Sequence, residues 1–197
     1  GFTPVPSGPD RGYRRFGDGT VITLRLLAPG ADPLRAAEQR AVAEDLRAVG
    51  IRVLLPAQDP DPAALFGAYQ DGGILLSHRF DMAVYGAAYG APAEPATLDG
   101  SYLCGEVPGP ADGGAGANDT SVCQGALDRA LAEGVGSADP AARIAAYRSA
   151  QALLARLLPE VPLYESVTVT AVSDRLRGFR ASPFFWTDGA QGWWLEH

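Results

Sequence analysis

The stretch "LRLLAPGADPLRAAEQRAVAEDLRAVGIRVLLP", residues 24–56 of 197, decides the fold class. Its start belongs to a run from Val21 to Gly30 that alternates apolar and polar residues and then turns continuously apolar, the mark of a strand. A punctuated helix follows. Asp32 suits the N-cap, Pro33 the first helical position, and Gly50 a left-handed close. Leu34, Ala37, Ala41, Val42, Leu46 and Val49 share one face, predicted to be the inner one. Arg35, Glu38, Arg40, Glu44, Asp45 and Arg47 read as the solvated side. "IRVLLPAQ" is then a second buried strand. A strand, a helix and a strand within about 35 residues imply a right-handed βαβ unit.

Working outward, "DPDPAALFGAYQDG" predicts a second, shorter helix and "FDMAVYG" a third strand. Residues 87–120 are irregular and rich in Gly, Pro and Ala. Ser121 and Gln124 are spaced as a capping box for "VCQGALDRALAEG", with Gly134 as its end. Asp139 and Pro140 start a long helix through Leu158, with Ile144, Tyr147, Ala150, Leu154 and Leu157 along its inner face; Pro159 stops it. "VPLYESVTVTAVS" reads as a strand pair or one long strand. Strands are therefore expected near 21–28, 51–56, 80–86 and 161–172, in an α/β fold with a central mixed sheet flanked by helices. Residues 1–20 read as an extended connector arriving from elsewhere, 21–178 as the α/β lobe, and 179–197 as a loosely patterned tail. Leu195-Glu196-His197 fits either a native end or the start of a tag scar.

Composition narrows the function classes. Hydrophobic residues at 47% and charged residues at 20% are ordinary for a globular domain. A net charge of −7 argues against nucleic-acid and anionic-membrane partners, which need a concentrated positive face. No apolar run is long enough to span a bilayer. Cys104 and Cys123 flank a loop with little power to order itself. A disulfide there restrains the unfolded chain by roughly 3 kcal/mol on the loop-entropy argument and implies an oxidising, extracytoplasmic setting; two unrelated buried thiols are the alternative. With two histidines and no CxxC, no metal or cofactor is expected.

Catalytic constellations are equally sparse. No GxSxG elbow lifts a serine, and Ser77 beside His78 is no dyad, because neighbouring side chains on an extended chain point apart. "GGAGAND", residues 113–119, follows no strand and carries no lysine, so it does not read as a phosphate cradle. Asn118-Asp119-Thr120 matches the glycosylation sequon, a pattern that chance often supplies. The chain is expected not to be an enzyme. Tyr85 and Tyr89 stand apart, held among small residues at a strand's carboxyl end, where open α/β sheets place ligand crevices; a plain core role for Tyr85 is the alternative. Trp186, Trp193 and Trp194 are expected to pack on the body.

The ordered set of segments resembles the second lobe of the family 5 extracytoplasmic solute-binding proteins, which feed peptide, nickel and oligosaccharide ABC transporters. Residues 24–56 are similar to that lobe's opening, "RFDMAVYGAAYGAPAEP" to its cleft segment, "CQGALDRALAEG" and "ARIAAYRSAQALLARLLPEVPLYES" to its later helices and strand, and "LRGF" and "WTDGAQGWWL" to its closing run. The resemblance implies a periplasmic-binding-protein-like lobe (type II, cluster C), entered through "TPVPSG" from an N-terminal lobe of the same parent. It further implies a monomer that captures a small-molecule or peptide-like ligand between lobes for an ABC transporter permease, outside the cytoplasm and lipid-anchored. Tyr85, Gly86, Tyr89 and Glu94 would be ligand-binding. Two departures stand out: Ala87 replaces a common tryptophan, and Ala91 replaces the aspartate that peptide binders pair with the peptide's amino terminus. A free-amine peptide then lacks its carboxylate unless Glu94 serves; the small residues suit a bulky or glycosidic ligand. The altered wall also leaves room for an envelope regulatory or interaction lipoprotein on the same fold, with no transport role.

Overall fold

The computed structural model describes residues 2–87, 95–167, 169–182, 185 and 187–196. Two short antiparallel strands, β1 (Thr3–Pro4) and β2 (Arg14–Arg15), make the first hairpin. It is fastened to residues 49–52 of the α/β body. Arg14 N–H donates to the Gly50 carbonyl at 2.6 Å, Arg52 pairs with Asp10, and the Arg52 guanidinium lies 4.6 Å from the Tyr13 ring centre.

The apolar run after Val21 becomes the central strand, β3 (Thr23–Leu27), because it finds a parallel neighbour on each edge. On one side β4 (Arg52–Leu54) pairs through Thr23↔Arg52, Leu24↔Val53 and Arg25↔Leu54. On the other, β5 (Met82–Ala83) pairs through Leu26↔Met82 and Leu27↔Ala83. Helix α1 (Pro33–Ala48) connects β3 to β4; the one-turn helix α2 (Pro62–Leu65) lies between β4 and β5. The βαβ unit forms as its punctuation predicts. Asp32 Oδ1 accepts the Leu34 and Arg35 amides, and Gly50 takes φ +86° after the helix.

The inward face of α1 keeps Val42 and Leu46 of the expected one but otherwise differs. Leu34 and Val49 are each 55% exposed, whereas Gln39 and Ala43 are buried. The reason is a polar demand at the sheet's end. Gln39 Nε2 donates to the Leu26 carbonyl at 2.9 Å and to Asp59 Oδ1 at 2.8 Å, and Asp59 Oδ1 also accepts the Ala28 amide. Buried polar groups must be paired, so this clasp turns Arg35, Glu38 and Gln39 inward. Beneath it Leu26, Ala43 and Val53 form one core, joined by Val42, Leu46, Ile51, Leu55 and Met82.

A second core is helical. Helices α3 (Gly125–Gly136) and α4 (Pro140–Leu157) pack through Leu127, Ala130, Leu131 and Ala150. Asp139 caps α4 as expected. The capping box does not form on α3: Ser121 has φ +58°, and Gln124 takes the N-cap position without a side-chain bond. Gly134 does not end that helix; it is buried against the Tyr147 ring, where a Cβ would stand 2.8 Å from ring atoms. On α4, Ala146 and Ala150 are the buried positions, while Ile144 is 52% exposed.

Residues 161–172 form no strand among the described residues, so the sheet around β3 is parallel throughout. The final hairpin pairs β6 (Leu176–Arg177) with β7 (Trp194–Leu195). Trp193 packs against Phe179 with ring centres 5.2 Å apart, as a packing residue does.

Candidate functional site

The strand order β4-β3-β5 reverses direction at β3. Such a reversal leaves a crevice outside the carboxyl ends of the strands, the usual ligand position in open α/β sheets. The chain leaves β5 into that position through Val84, whose amide donates to the Leu27 carbonyl at 2.9 Å, and then Tyr85 and Gly86.

Tyr85 is half-buried, and its ring meets Phe66 edge to face at 5.5 Å and 78°. Phe66 itself is 45% exposed, so the pair presents an aromatic ledge. The Tyr85 hydroxyl donates to Asp119 Oδ2 at 2.8 Å. Burial, and then this bond to a carboxylate, push the phenol well above its ordinary range. At neutral pH the hydroxyl is therefore a neutral donor already committed to Asp119, with only lone pairs to offer a ligand.

Gly86 is set against the Arg35 guanidinium, and a Cβ here would lie 3.0 Å from Nη2. Arg35 Nη1 bonds Glu38 Oε2 at 2.6 Å, which raises the guanidinium pKa and keeps the side chain in place. The Tyr164 hydroxyl donates to Glu38 Oε1. Four stretches of chain thus converge on the end of β5: the start of α1, the residue after α2, the loop bearing Asp119, and Tyr164.

The Asp119 loop is closed at its base by the disulfide between Cys104 and Cys123, whose Cα atoms are 4.4 Å apart. Asn118 is fully buried, with Nδ2 donating to the Leu103 carbonyl at 3.1 Å and the Val122 carbonyl at 2.8 Å. An amide so enclosed has no room for a glycan, so the sequon is structural. Nearby, the Tyr102 hydroxyl donates to Glu160 Oε2 at 2.9 Å.

A separate cavity of about 420 Å³ opens between the amino ends of α1 and α2, lined by Pro29, Gly30, Asp32, Asp59, Asp61 and Pro62 among others. Tyr85 and Gly86 do not line it. Its aspartates serve local structure: Asp32 caps α1, Asp61 caps α2, and Asp59 holds Gln39 and Ala28.

Of the expected ligand residues, Tyr85 and Gly86 lie together just after β5, while Tyr89 and Glu94 lie outside the described residues, as do Ala91 and Trp186. Phe66, Arg35, Glu38, Asp119 and Tyr164 were missed. Arg35 and Glu38 looked like solvated helix charges, and Asp119 looked like part of a sequon. Only contacts across the fold reveal them. Ser77 and His78 do not meet as a dyad: Ser77 Oγ donates to the Gly73 carbonyl at 2.5 Å, while His78 Nε2 lies 3.0 Å from the Asn118 carbonyl oxygen. No group of metal-ligating side chains occurs among the described residues, and no described helix is long and apolar enough to cross a membrane.

No protein-family model matches the chain, and no curated protein matches its sequence. Solved structures do match its fold. The oligopeptide-binding protein of Thermus thermophilus, complexed with a pentapeptide, aligns at a TM-score of 0.68 with 22% identity, over 83% of this chain and 27% of that one. NikZ of Campylobacter jejuni, in complex with Ni(L-His), aligns at 0.66 with 17% identity, over 98% and 36%. The oligopeptide-binding protein AppA of Bacillus subtilis, in complex with a nonapeptide, aligns at 0.63 with 16% identity, over 100% and 35%. The chain spans about a third or less of the length of these proteins, and over that span it has the α/β fold of type II periplasmic-binding-protein structures.

Proposed function

We propose that this chain is one lobe of an extracytoplasmic solute-binding protein, which captures a small solute between lobes and passes it to an ABC importer. The observation that carries this reading is the match of nearly the whole chain to about a third of substrate-binding proteins. The reading is supported by Tyr85, Gly86 and Phe66 lying near the carboxyl end of β5, on the side where open α/β sheets take ligands. In this reading the aromatic ledge is one wall of a cleft and the parent's N-terminal lobe supplies the other. Ligand contacts to both walls then favour the closed state.

The surface supports an incomplete body. Val161, Leu163, Tyr164, Val167 and Val169 are all more than half exposed within nine positions of the chain, an apolar run of the kind that marks an interaction surface. A second lobe would cover it. Residues 1–20 serve as the connector, the disulfide suits an oxidising compartment, and a lipid anchor on the parent would hold the protein at the membrane.

The ledge also bears on ligand chemistry. The Tyr85 hydroxyl is spent on Asp119, while Arg35, held by Glu38 through Nη1, keeps the N–H groups of Nη2 beside Gly86, so the ledge offers ring faces, lone pairs and a cationic donor. A polyol or glycoside, whose hydroxyls both donate and accept, suits that set, in keeping with the small residue at 87. Calorimetry of this chain and of the two-lobe parent, using the solute identified by mass spectrometry of the purified parent, tests the proposal. The parent is expected to bind at least tenfold more tightly; equal affinities would refute a cleft made by two lobes.

A further inference from the structure

We infer that Asn118 is the positioning residue of the Tyr85 ledge and that the Cys104–Cys123 disulfide acts on the ledge through it. The two carbonyls that accept from Asn118 Nδ2 belong to Leu103 and Val122, the residues immediately before the two cysteines. Bonding Cys104 to Cys123 therefore brings these carbonyls to face a single amide. The rest of Asn118 is equally occupied. Its backbone N–H donates to the Glu106 carbonyl at 2.8 Å, its carbonyl meets His78 Nε2, and its Oδ1 accepts from the Thr120 amide and hydroxyl. Every polar atom of residue 118 is thus bonded, which holds the backbone from which Asp119 departs. Asp119 presents Oδ2 to the Tyr85 hydroxyl, linking the disulfide loop to the end of β5.

The chemistry needs an asparagine. Two converging carbonyls require a group with two N–H donors, and the same side chain must offer an acceptor to Thr120; a primary amide of this length does both. An aspartate would set a carboxylate oxygen against two carbonyl oxygens, and an alanine would remove the side-chain donor from both, leaving the Leu103 carbonyl only the Glu106 amide at 3.1 Å. The consequence for ligand capture rests on the proposed function, but the positioning itself does not.

The test uses the 197-residue chain labelled with 3-fluorotyrosine and read by fluorine NMR. Tyr85→Phe assigns the Tyr85 resonance, and Asp119→Ala fixes where that resonance goes once the hydroxyl loses its acceptor. Asn118→Ala is expected to move the Tyr85 resonance to the Asp119→Ala position while Tyr13 and Tyr147 stay in place. The Cys104→Ser/Cys123→Ser double variant is expected to move it in the same direction, and it carries the test alone if Asn118→Ala does not fold. A Tyr85 resonance that stays put in both variants overturns the inference. So does a displacement of Tyr13 and Tyr147 equal to that of Tyr85, which is the signature of a general structural role. Solute retention by the parent protein is a separate reading: a moved Tyr85 with retention unchanged leaves the role of Asn118 standing and removes the ledge from binding.

Discussion

Residues 82–85, Met-Ala-Val-Tyr, and residues 161–172, with valines at 161, 167, 169 and 172, carry the same β-branched and aromatic signature. The first stretch enters the sheet, and Val84 is only 8% exposed. The second joins no described sheet, with Val167 at 85% and Val169 at 89% exposure. The difference is not propensity. β5 meets the free edge of β3 at Leu26 and Leu27, which supplies ladder bonds for one edge and a core for one face. Residues 161–172 meet no such edge among the described residues. A strand-like sequence states what a segment accepts, and a neighbouring backbone decides whether it is paired.

Mutations within the two regions put this contrast at risk. Leu26→Ala empties a fully buried position in the central strand and is expected to cost about 3 kcal/mol in urea unfolding. A loss under about 1 kcal/mol would mean that β3 is not the centre of the packed sheet. Gln39→Ala removes the donor shared by Leu26 and Asp59, with an expected loss of about 2 kcal/mol. A neutral result would show that water replaces the clasp.

Asp99 offers a test of the opposite sign in the helical half. Its carboxyl is buried, Oδ1 has no partner, and desolvation raises its pKa. A raised native pKa favours the protonated form, so its contribution is complete below the unfolded-state value and lost as pH rises through the native one. Asp99→Asn is therefore expected to gain about 1 kcal/mol at neutral pH. The gain should fade on acidification through the carboxylate range; one that persists there would point to packing instead. The smallest effect is expected at Val169→Ala, within about 0.5 kcal/mol for this chain, because its side chain already meets solvent. A loss comparable with that of Leu26→Ala would show that the segment is packed in solution and would erase the contrast.

Much of the fold is legible in the sequence alone. Strand, helix and strand from Thr23 to Leu54, and the long helix after Asp139, lie where their caps and prolines place them. The readings that failed share a cause. Ser121 and Gln124 satisfied a spacing rule, but the disulfide loop holds Ser121 at positive φ, where it does not cap. Ile144 fitted the helical period of α4 yet is 52% exposed, whereas Tyr147, Ala150 and Leu154 of the same expected face do join the core shared with α3. Of the site, Tyr85 and Gly86 were legible because they follow an apolar strand, whereas Asp119 and Glu38 have no local signature.

Helix ends, turns and the βαβ unit are written in the order of residues, since a cap or a left-handed glycine acts within a few positions of itself. The inward face of α1 and the aromatic ledge are not. Tyr85 finds Asp119 across 34 positions, and Glu38 finds Tyr164 across 126. Such pairs exist only because folding brings distant backbones together and sets one polar group within reach of another. Spacing along the chain carries no trace of that choice.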